Sequence, residues 1–348
     1  MTMEEPDILE RYSRQMRFHG IGRAGQEKLL ASRVLLCGVG ALGTVLANTL
    51  VRAGVGFVRL VDRDFVESSN LQRQVLFDES DVASHLPKAE AAAAKLRAIN
   101  SGVVVEPVVA HIDRSNIGAL SADVDLVLDG SDNFEIRYLI NDVCVRDGTP
   151  WVHGGCIGSH GQTMTIIPGK TPCLRCVFEA APGPGEAANC DTAGVLAPII
   201  SIIANFQATE AIKILVGKPE TINRELAYVD CWENTLRKVK IARLLEVRDC
   251  PCCKRRDFEW LEGAQGVQTT SLCGRNAVQV VPASPSRLDL PAMASALRAV
   301  SEVHLSKFLL RFNADDCEFT VFPDGRAIIK GTHEEDRALT LYARYIGH

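Results

Sequence analysis

"RVLLCGVGALGTVLANTLVRAG", residues 33–54, is the stretch on which the fold turns. It opens as a short run of branched and leucine side chains and passes three glycines, Gly38, Gly40 and Gly43. It then continues with the spacing of a buried helix. A strand, a glycine turn and a helix in that order bring backbone N–H groups and the positive end of a helix up to an anion. Glycine allows the close approach, and the first helical N–H groups have no partner within the helix. The pattern points to a nucleotide without saying which one.

The same grammar extends on both sides. "FVRLVD" (57–62), "VVVEPVVA" (103–110) and "DLVLDG" (125–130) are further short apolar runs, separated by helical stretches such as "PKAEAAAAKLRAIN" (87–100). Strands alternating with helices predict a parallel α/β sheet covered on both faces; the whole domain is expected to be a Rossmann-like nucleotide-binding fold with a mixed sheet and a structural zinc site. After about Gly263 the character changes, and "GAQGVQTTS" (263–271) reads as a boundary between a domain of residues 1–263 and a small C-terminal α+β domain of residues 264–348. In the tail, "FLLRF", "CEFTVF", the turn "PDG" and "RAIIKG" predict an antiparallel sheet, closed by a helix that Thr332 and Glu335 start as a capping box. Cys317 reads as a strand edge.

The 348 residues are 47% apolar with a net charge of −5, which suits a globular protein and disfavours diffuse binding to nucleic acid or to a membrane surface. The opening "MTMEEPDILERYSRQ" is acidic and polar, unlike a secretory leader. The longest apolar run, residues 194–217, carries Asn205, Gln207, Glu210 and Lys213 and so predicts a buried helix rather than a membrane span. A cytoplasmic protein is expected, and its twelve cysteines are expected to be thiols or metal ligands rather than disulfides.

Asp62, at the tip of the second strand, fits the acidic ribose ligand of a dinucleotide fold, and a nicotinamide-dependent oxidoreductase satisfies the evidence to that point. "VDRDFVESSNLQRQVLF" (61–77) argues otherwise. Asn70, Arg73 and Gln74 crowd past the ribose aspartate, where a triphosphate has more use for them than a backbone-held diphosphate; a solvated loop is the plainer alternative. Lys88 follows Pro87 at the start of a helix, where a cation is disfavoured unless an anion is near; its stem can also carry the charge into water. Asp132, in "GSDNFEIRYLIND" (130–142), falls beyond the end of a strand, either as a Mg²⁺ ligand or as a helix N-cap.

"CLRC" (173–176) and "CPCC" (250–253) supply Cys173, Cys176, Cys250 and Cys253, two knuckles of one tetrahedral, structural zinc site, with Cys252 as a competing neighbour. Cys37, Cys144 and Cys156 read as small buried apolar residues. Cys190 follows the Pro- and Gly-rich "EAAPGPGEAAN" (179–189) and precedes an apolar helix. It is either a reactive thiol or merely an accessible one.

Together "RYSRQ" (11–15), "GVGALG", "DRDFVESSNLQRQ", "PKAEAAAAKL", "GSDNFEIRYLIND" and the paired CxxC motifs resemble the ThiF/MoeB/HesA adenylyltransferases, bacterial relatives of the ubiquitin-activating enzymes, over roughly residues 8–260. The resemblance implies a homodimer using ATP, Mg²⁺ and Zn²⁺. Its partners would be a ubiquitin-like sulfur-carrier protein with a Gly-Gly tail and, later, a sulfur donor protein. The carrier's carboxylate would attack the α-phosphate of ATP, giving an acyl-adenylate and pyrophosphate. Asp62 would bind the ribose, Asn70, Arg73, Gln74 and Lys88 the phosphates, and Asp132 the magnesium. Arg14 would reach into the neighbouring subunit's site, and Cys190 would bond to the carrier or carry sulfur. A catalytically silent carrier-binding scaffold is the reading from another class, and the set Arg14, Arg73, Lys88 and Asp132 speaks against it. The tail reads as a carrier- or partner-docking module or as an extension of the dimer.

Overall fold

The stretch at 33–54 is strand β1 (Arg33–Cys37), a glycine turn and helix α1 (Ala41–Ala53). There follow β2 (Phe57–Val61), helix α2 (Lys88–Ile99), β3 (Val104–Val108), β4 (Leu126–Asp129), helix α3 (Phe134–Asp147), β5 (Trp151–Ile157), β6 (His160–Ile166), helix α4 (Ala197–Leu215), β7 (Glu225–Asp230) and β8 (Thr235–Lys240). The computed structural model describes residues 9–132, 134–180, 194–262, 269–272, 276–281, 288–298 and 301–346.

These strands form one eight-stranded sheet in the order β3-β2-β1-β4-β5-β6-β7-β8. The first five are parallel, and β6, β7 and β8 continue the sheet antiparallel, so it is mixed as expected. From β1 the chain runs outward to β2 and β3 on one side and later to β4 and β5 on the other. The carboxyl ends of β1 and β4 therefore flank the reversal point, where open α/β sheets leave a crevice. Pro107, which offers no N–H, is accommodated in β3 because β3 is the edge strand.

Both faces of the sheet are covered at β1, which is why that strand is apolar after Arg33, whereas β8 at the far edge is exposed along almost its whole length. Val34 and Leu36 turn to a core shared with Leu46 and Leu50 of α1, Leu96 of α2 and Ile203 of α4. Leu35 and Cys37 turn to the opposite core with Tyr138 and Ile140 of α3 and Trp151. Helix α1 ends at Gly54 (φ +84°), whose N–H reaches the carbonyls of Leu50 and Val51; a methyl there would meet the Tyr12 ring at 2.6 Å. Helix α4 is the expected buried helix of the long apolar run, with Gln207 and Glu210 inside it. Among the described residues no helix is long and apolar enough to cross a membrane.

Two compact units emerge, one holding the described residues up to 262 and the other those from 269 onward. The second contains β9 (Thr269–Leu272), β10 (Ala277–Val280), helix α5 (Leu290–Leu297), β11 (Val303–Leu305), β12 (Leu310–Ala314), β13 (Cys317–Val321), β14 (Ala327–Lys330) and helix α6 (Glu335–Tyr345). The three strands read in the tail are β12, β13 and β14, antiparallel neighbours, with Pro323-Asp324-Gly325 turning between the last two. They belong to a larger sheet, β11-β12-β13-β14-β10-β9, so "TTS" of the expected boundary is already strand. Cys317 stands at the edge of its strand, as its first residue, and is buried because β13 is an interior strand of the sheet. The expected capping box is also corrected. Helix α6 starts only at Glu335, and the Thr332 hydroxyl instead accepts the N–H of Glu334 in the turn before it.

Candidate functional site

Gly38 (φ +92°) leaves β1 in a left-handed conformation, and a side chain on it would lie 2.8 Å from the Gly130 carbonyl. A methyl on Gly43 would overlap the Gly38 carbonyl at 2.1 Å, so two of the three glycines are explained by packing of the turn on its own helix and on the loop after β4. Gly40 differs. The nearest atom to a methyl there is Gln74 Nε2 at 3.9 Å, which leaves room in front of the first turn of α1 for a group the chain does not provide.

The loop after β2 faces this space. Asp62 accepts the N–H of Val39 through Oδ2 and that of Asp64 through Oδ1, both at 2.7 Å. Each oxygen keeps a lone pair for a ribose hydroxyl. Burial raises the Asp62 carboxyl above its ordinary range, while the Lys88 charge works in the opposite direction. Lys88 is 3% exposed, and Nζ lies 3.2 Å from Asp64 Oδ2. Its charge is thus met by Asp64 and Asp62, and its place at the head of α2 does not by itself call for an outside anion. The solvated-lysine alternative is excluded by the same burial. Pro87 is the cap residue and Lys88 the first residue of α2, one position later than the sequence suggested.

Gln74 is buried, and its Oε1 has no hydrogen-bond partner among the described residues, as expected of a group aimed at an absent ligand. Asn70 is also buried, but its Oδ1 accepts the Glu67 N–H at 3.1 Å and so shapes the loop. Half-buried Arg73 donates Nη1 to the Ser69 carbonyl at 2.8 Å. Across the crevice, exposed Asp132 lies two residues before α3, one short of the cap position. Arg14 is exposed on the short helix Ser13–Met16. Residues on either side of Arg14 anchor that helix: Tyr12 accepts from Asn100 Nδ2 at 2.9 Å, and Gln15 Nε2 donates to the Ala53 carbonyl at 2.9 Å. Cys190 lies outside the described residues.

A buried network under the Asp132 loop escaped the sequence reading. Asp129, at the end of β4, pairs with His153 of β5 and Arg137 of α3, and Gln207 Nε2 donates to its backbone carbonyl at 2.9 Å. Burial pulls the His153 pKa down against the pull of Asp129. Asp129 itself is held below the ordinary carboxylate range. Burial, the largest influence, opposes this, but it is outweighed by the Arg137 charge together with the His153 and Ser131 hydrogen bonds.

On the α3 side of the sheet, the sulfur atoms of Cys173, Cys176, Cys250 and Cys253 all lie within 4.8 Å of one another and can hold a metal ion. Three of the separations are 3.8, 3.6 and 3.4 Å. A tetrahedron with Zn–S bonds of about 2.3 Å has edges of roughly 3.8 Å, so the spacing fits zinc. Hydrogen bonds from Cys173, then Cys176 and Cys253, depress the Cys250 pKa, while the Cys176 thiol is driven up by its neighbours, Cys173 first. Four thiolates this close need a cation between them. Cys252 falls outside this cluster, and Asn141 Nδ2 donates to its sulfur at 3.2 Å while Asn141 Oδ1 accepts the Leu174 N–H at 2.8 Å. Cys37 and Cys144 are buried as expected, whereas Cys156 is only partly so.

Residues 12–252 match the model of the ThiF family. Over 338 residues the chain is 44% identical to a sulfur carrier protein ThiS adenylyltransferase of Bacillus subtilis (strain 168), covering 97% of this chain and 99% of that protein. Another relative, a SAMP-activating enzyme E1 of Haloferax volcanii, is 41% identical over 264 residues, 76% of this chain and 96% of that one. Among solved structures, Escherichia coli MccB with MccA-N7isoASN superposes with a TM-score of 0.62 at 26% identity, over 71% of this chain and 75% of that one. With the glycine turn, the loop after β2 and the first cysteine knuckle inside the matched span, this chain belongs to the ThiF family.

Proposed function

We propose that the chain adenylates the C-terminal glycine of a small ubiquitin-like sulfur carrier. The observation that carries this reading is the room left at Gly40, faced by Asp62 and the unpartnered Gln74 Oε1, in a chain 44% identical to a sulfur carrier adenylyltransferase. ATP is held with its ribose on Asp62 and its phosphates among Asn70, Arg73, Gln74 and Lys88. A carboxylate oxygen of the carrier bonds to the α-phosphorus while the bond to the bridging oxygen breaks, and the electron pair leaves with pyrophosphate. The attacking carboxylate is already ionised at neutral pH, so no side chain has to remove a proton. The work of the protein is alignment and charge: Lys88, tethered to Asp64, and Arg73 meet the phosphate oxygens. Asp132 holds Mg²⁺, which when bound offsets phosphate charge.

The cysteine tetrad holds structural zinc, Arg14 serves the site of a second copy in a homodimer, and Cys190 acts after adenylation, in transfer from a sulfur donor. The second unit docks the carrier or another partner. The deciding experiment is ATP–pyrophosphate exchange with a purified Gly-Gly-ending carrier, beginning with a ThiS-type protein. Exchange that requires the carrier's last glycine is the expected result. No exchange with any such carrier, alongside a fluorescence change on adding a nicotinamide cofactor, would replace this reading with an oxidoreductase.

A further inference from the structure

Asp129 ends β4 with its side chain wholly buried. An ionised carboxylate in such a place carries a desolvation cost, and a well-packed apolar residue would often serve stability as well or better. What the charge does instead is bind the loop that follows. Oδ1 accepts both the N–H of Ser131 at 3.0 Å and its hydroxyl at 2.7 Å. Oδ2 faces His153 Nδ1 at 2.9 Å and Arg137 Nε at 3.2 Å, the latter as an ion pair without hydrogen-bond geometry. Because its partner is an ionised carboxylate, His153 carries its proton on Nδ1. Arg137 closes the ring by donating Nη2 to the Ser131 carbonyl at 2.9 Å. Gly130 is fixed from the other side, with its N–H on the Cys37 carbonyl at 2.9 Å and Gly38 pressed against it. Residues 129–131 are therefore tied to β1, α3 and β5 at once, and the next residue is the exposed Asp132.

We propose that Asp129, held by His153 and Arg137, is a positioning residue that fixes the Asp132 carboxylate for a divalent cation at the nucleotide phosphates. The inference rests on the reading of Asp132 as that cation's ligand. A ligand on a loose loop must surrender backbone freedom when it binds metal, and a loop bonded on three sides has surrendered it on folding.

The test measures binding rather than turnover. Mn²⁺ replaces Mg²⁺, and its affinity is read by electron paramagnetic resonance with saturating ATP. ATP affinity without metal is read separately by equilibrium dialysis in EDTA. Asp129→Asn and His153→Leu should each weaken Mn²⁺ binding about tenfold, the effect expected of a residue that supports a metal ligand. ATP affinity in EDTA should stay within about twofold, and His153→Asn, whose amide can replace the Nδ1 donor, should recover most of the loss. If Asp129→Asn does not fold, His153→Leu and Ser131→Ala carry the test. Asp132→Ala binding Mn²⁺ as tightly as wild type would remove the ligand reading and this proposal together. Asp132→Ala binding weakly while folded His153→Leu and Asp129→Asn bind normally would overturn this proposal alone. Metal-free ATP affinity falling in parallel with Mn²⁺ affinity would also overturn it, since the whole pocket would then have relaxed.

Discussion

His153 buries a titratable ring against an ionised partner, and the sign of its contribution to stability follows from its environment. Burial holds its pKa below the ordinary histidine value in spite of Asp129. A group with a depressed folded pKa contributes stability that is present above its unfolded value, about 6.5, and is lost as the pH falls through the folded one. The melting temperature of wild type should therefore decline between pH 7 and pH 5 more steeply than that of His153→Asn, which keeps a donor for Asp129 but does not titrate. Parallel slopes would show that the fold does not depress the His153 pKa. The same residue shows why part of the site was hidden in the sequence. Asp62 stands at a strand end and Lys88 at a helix start, where local pattern suffices to place them, and Arg73 and Gln74 fall in the one loop between. Asp129 and His153 are 24 positions apart and meet only because β4 pairs in parallel with β5, Leu128 opposite Val152. Asp64 lies inside the stretch that drew attention, but its pairing with Lys88 depends on how that loop closes on α2.

The turn between β1 and α1 was legible because everything it needs is local: an apolar run, three glycines and a helical repeat. The glycines nevertheless do different work, and substitution separates them. Gly43→Ala forces a methyl onto the Gly38 carbonyl and should cost ~2 kcal/mol or more of stability. Gly40→Ala meets no protein atom closer than 3.9 Å, so it should melt near wild type yet bind ATP on the order of tenfold more weakly. Thermal melts and ATP titrations of the two variants check this, and a Gly40→Ala protein with wild-type ATP affinity would take the phosphates away from this turn. The knuckles were legible by spacing, although spacing could not decide between Cys252 and its neighbours; the fold decides it by gathering the sulfurs of Cys173, Cys176, Cys250 and Cys253 within 4.8 Å of one another. About one zinc per chain is expected in purified protein, and Cys173→Ser/Cys250→Ser should lose both the metal and much of the folded population. A zinc-free variant that melts like wild type would leave the tetrad without a structural role. In the tail, β9, β10 and β11 went unread because runs of four, four and three residues lack a usable repeat, and β10 finds its neighbour β14 across a long stretch of chain.

Assembly is the level at which a single chain says least, and Arg14 is where it can be tested. Tyr12 and Gln15 tie the short helix Ser13–Met16 down on either side of an exposed arginine. A side chain displayed in this way suits the site of a second copy, and a two-fold dimer would exchange both arginines, giving two sites each built from both chains. Arg14→Ala and Asp132→Ala should then each be nearly inactive in pyrophosphate exchange as homodimers. Coexpressed, they should form hybrids in about half of the dimers. In each hybrid one site joins the intact Asp132 of the first chain to the intact Arg14 of the second, while the other site lacks both. If assembly is random and the sites are independent, activity recovers to roughly a quarter of wild type. Differently tagged subunits establish that exchange has occurred. A mixture with demonstrated hybrids that stays as inactive as its parents would place Arg14 in the service of its own chain, and the shared-site dimer would fall with it.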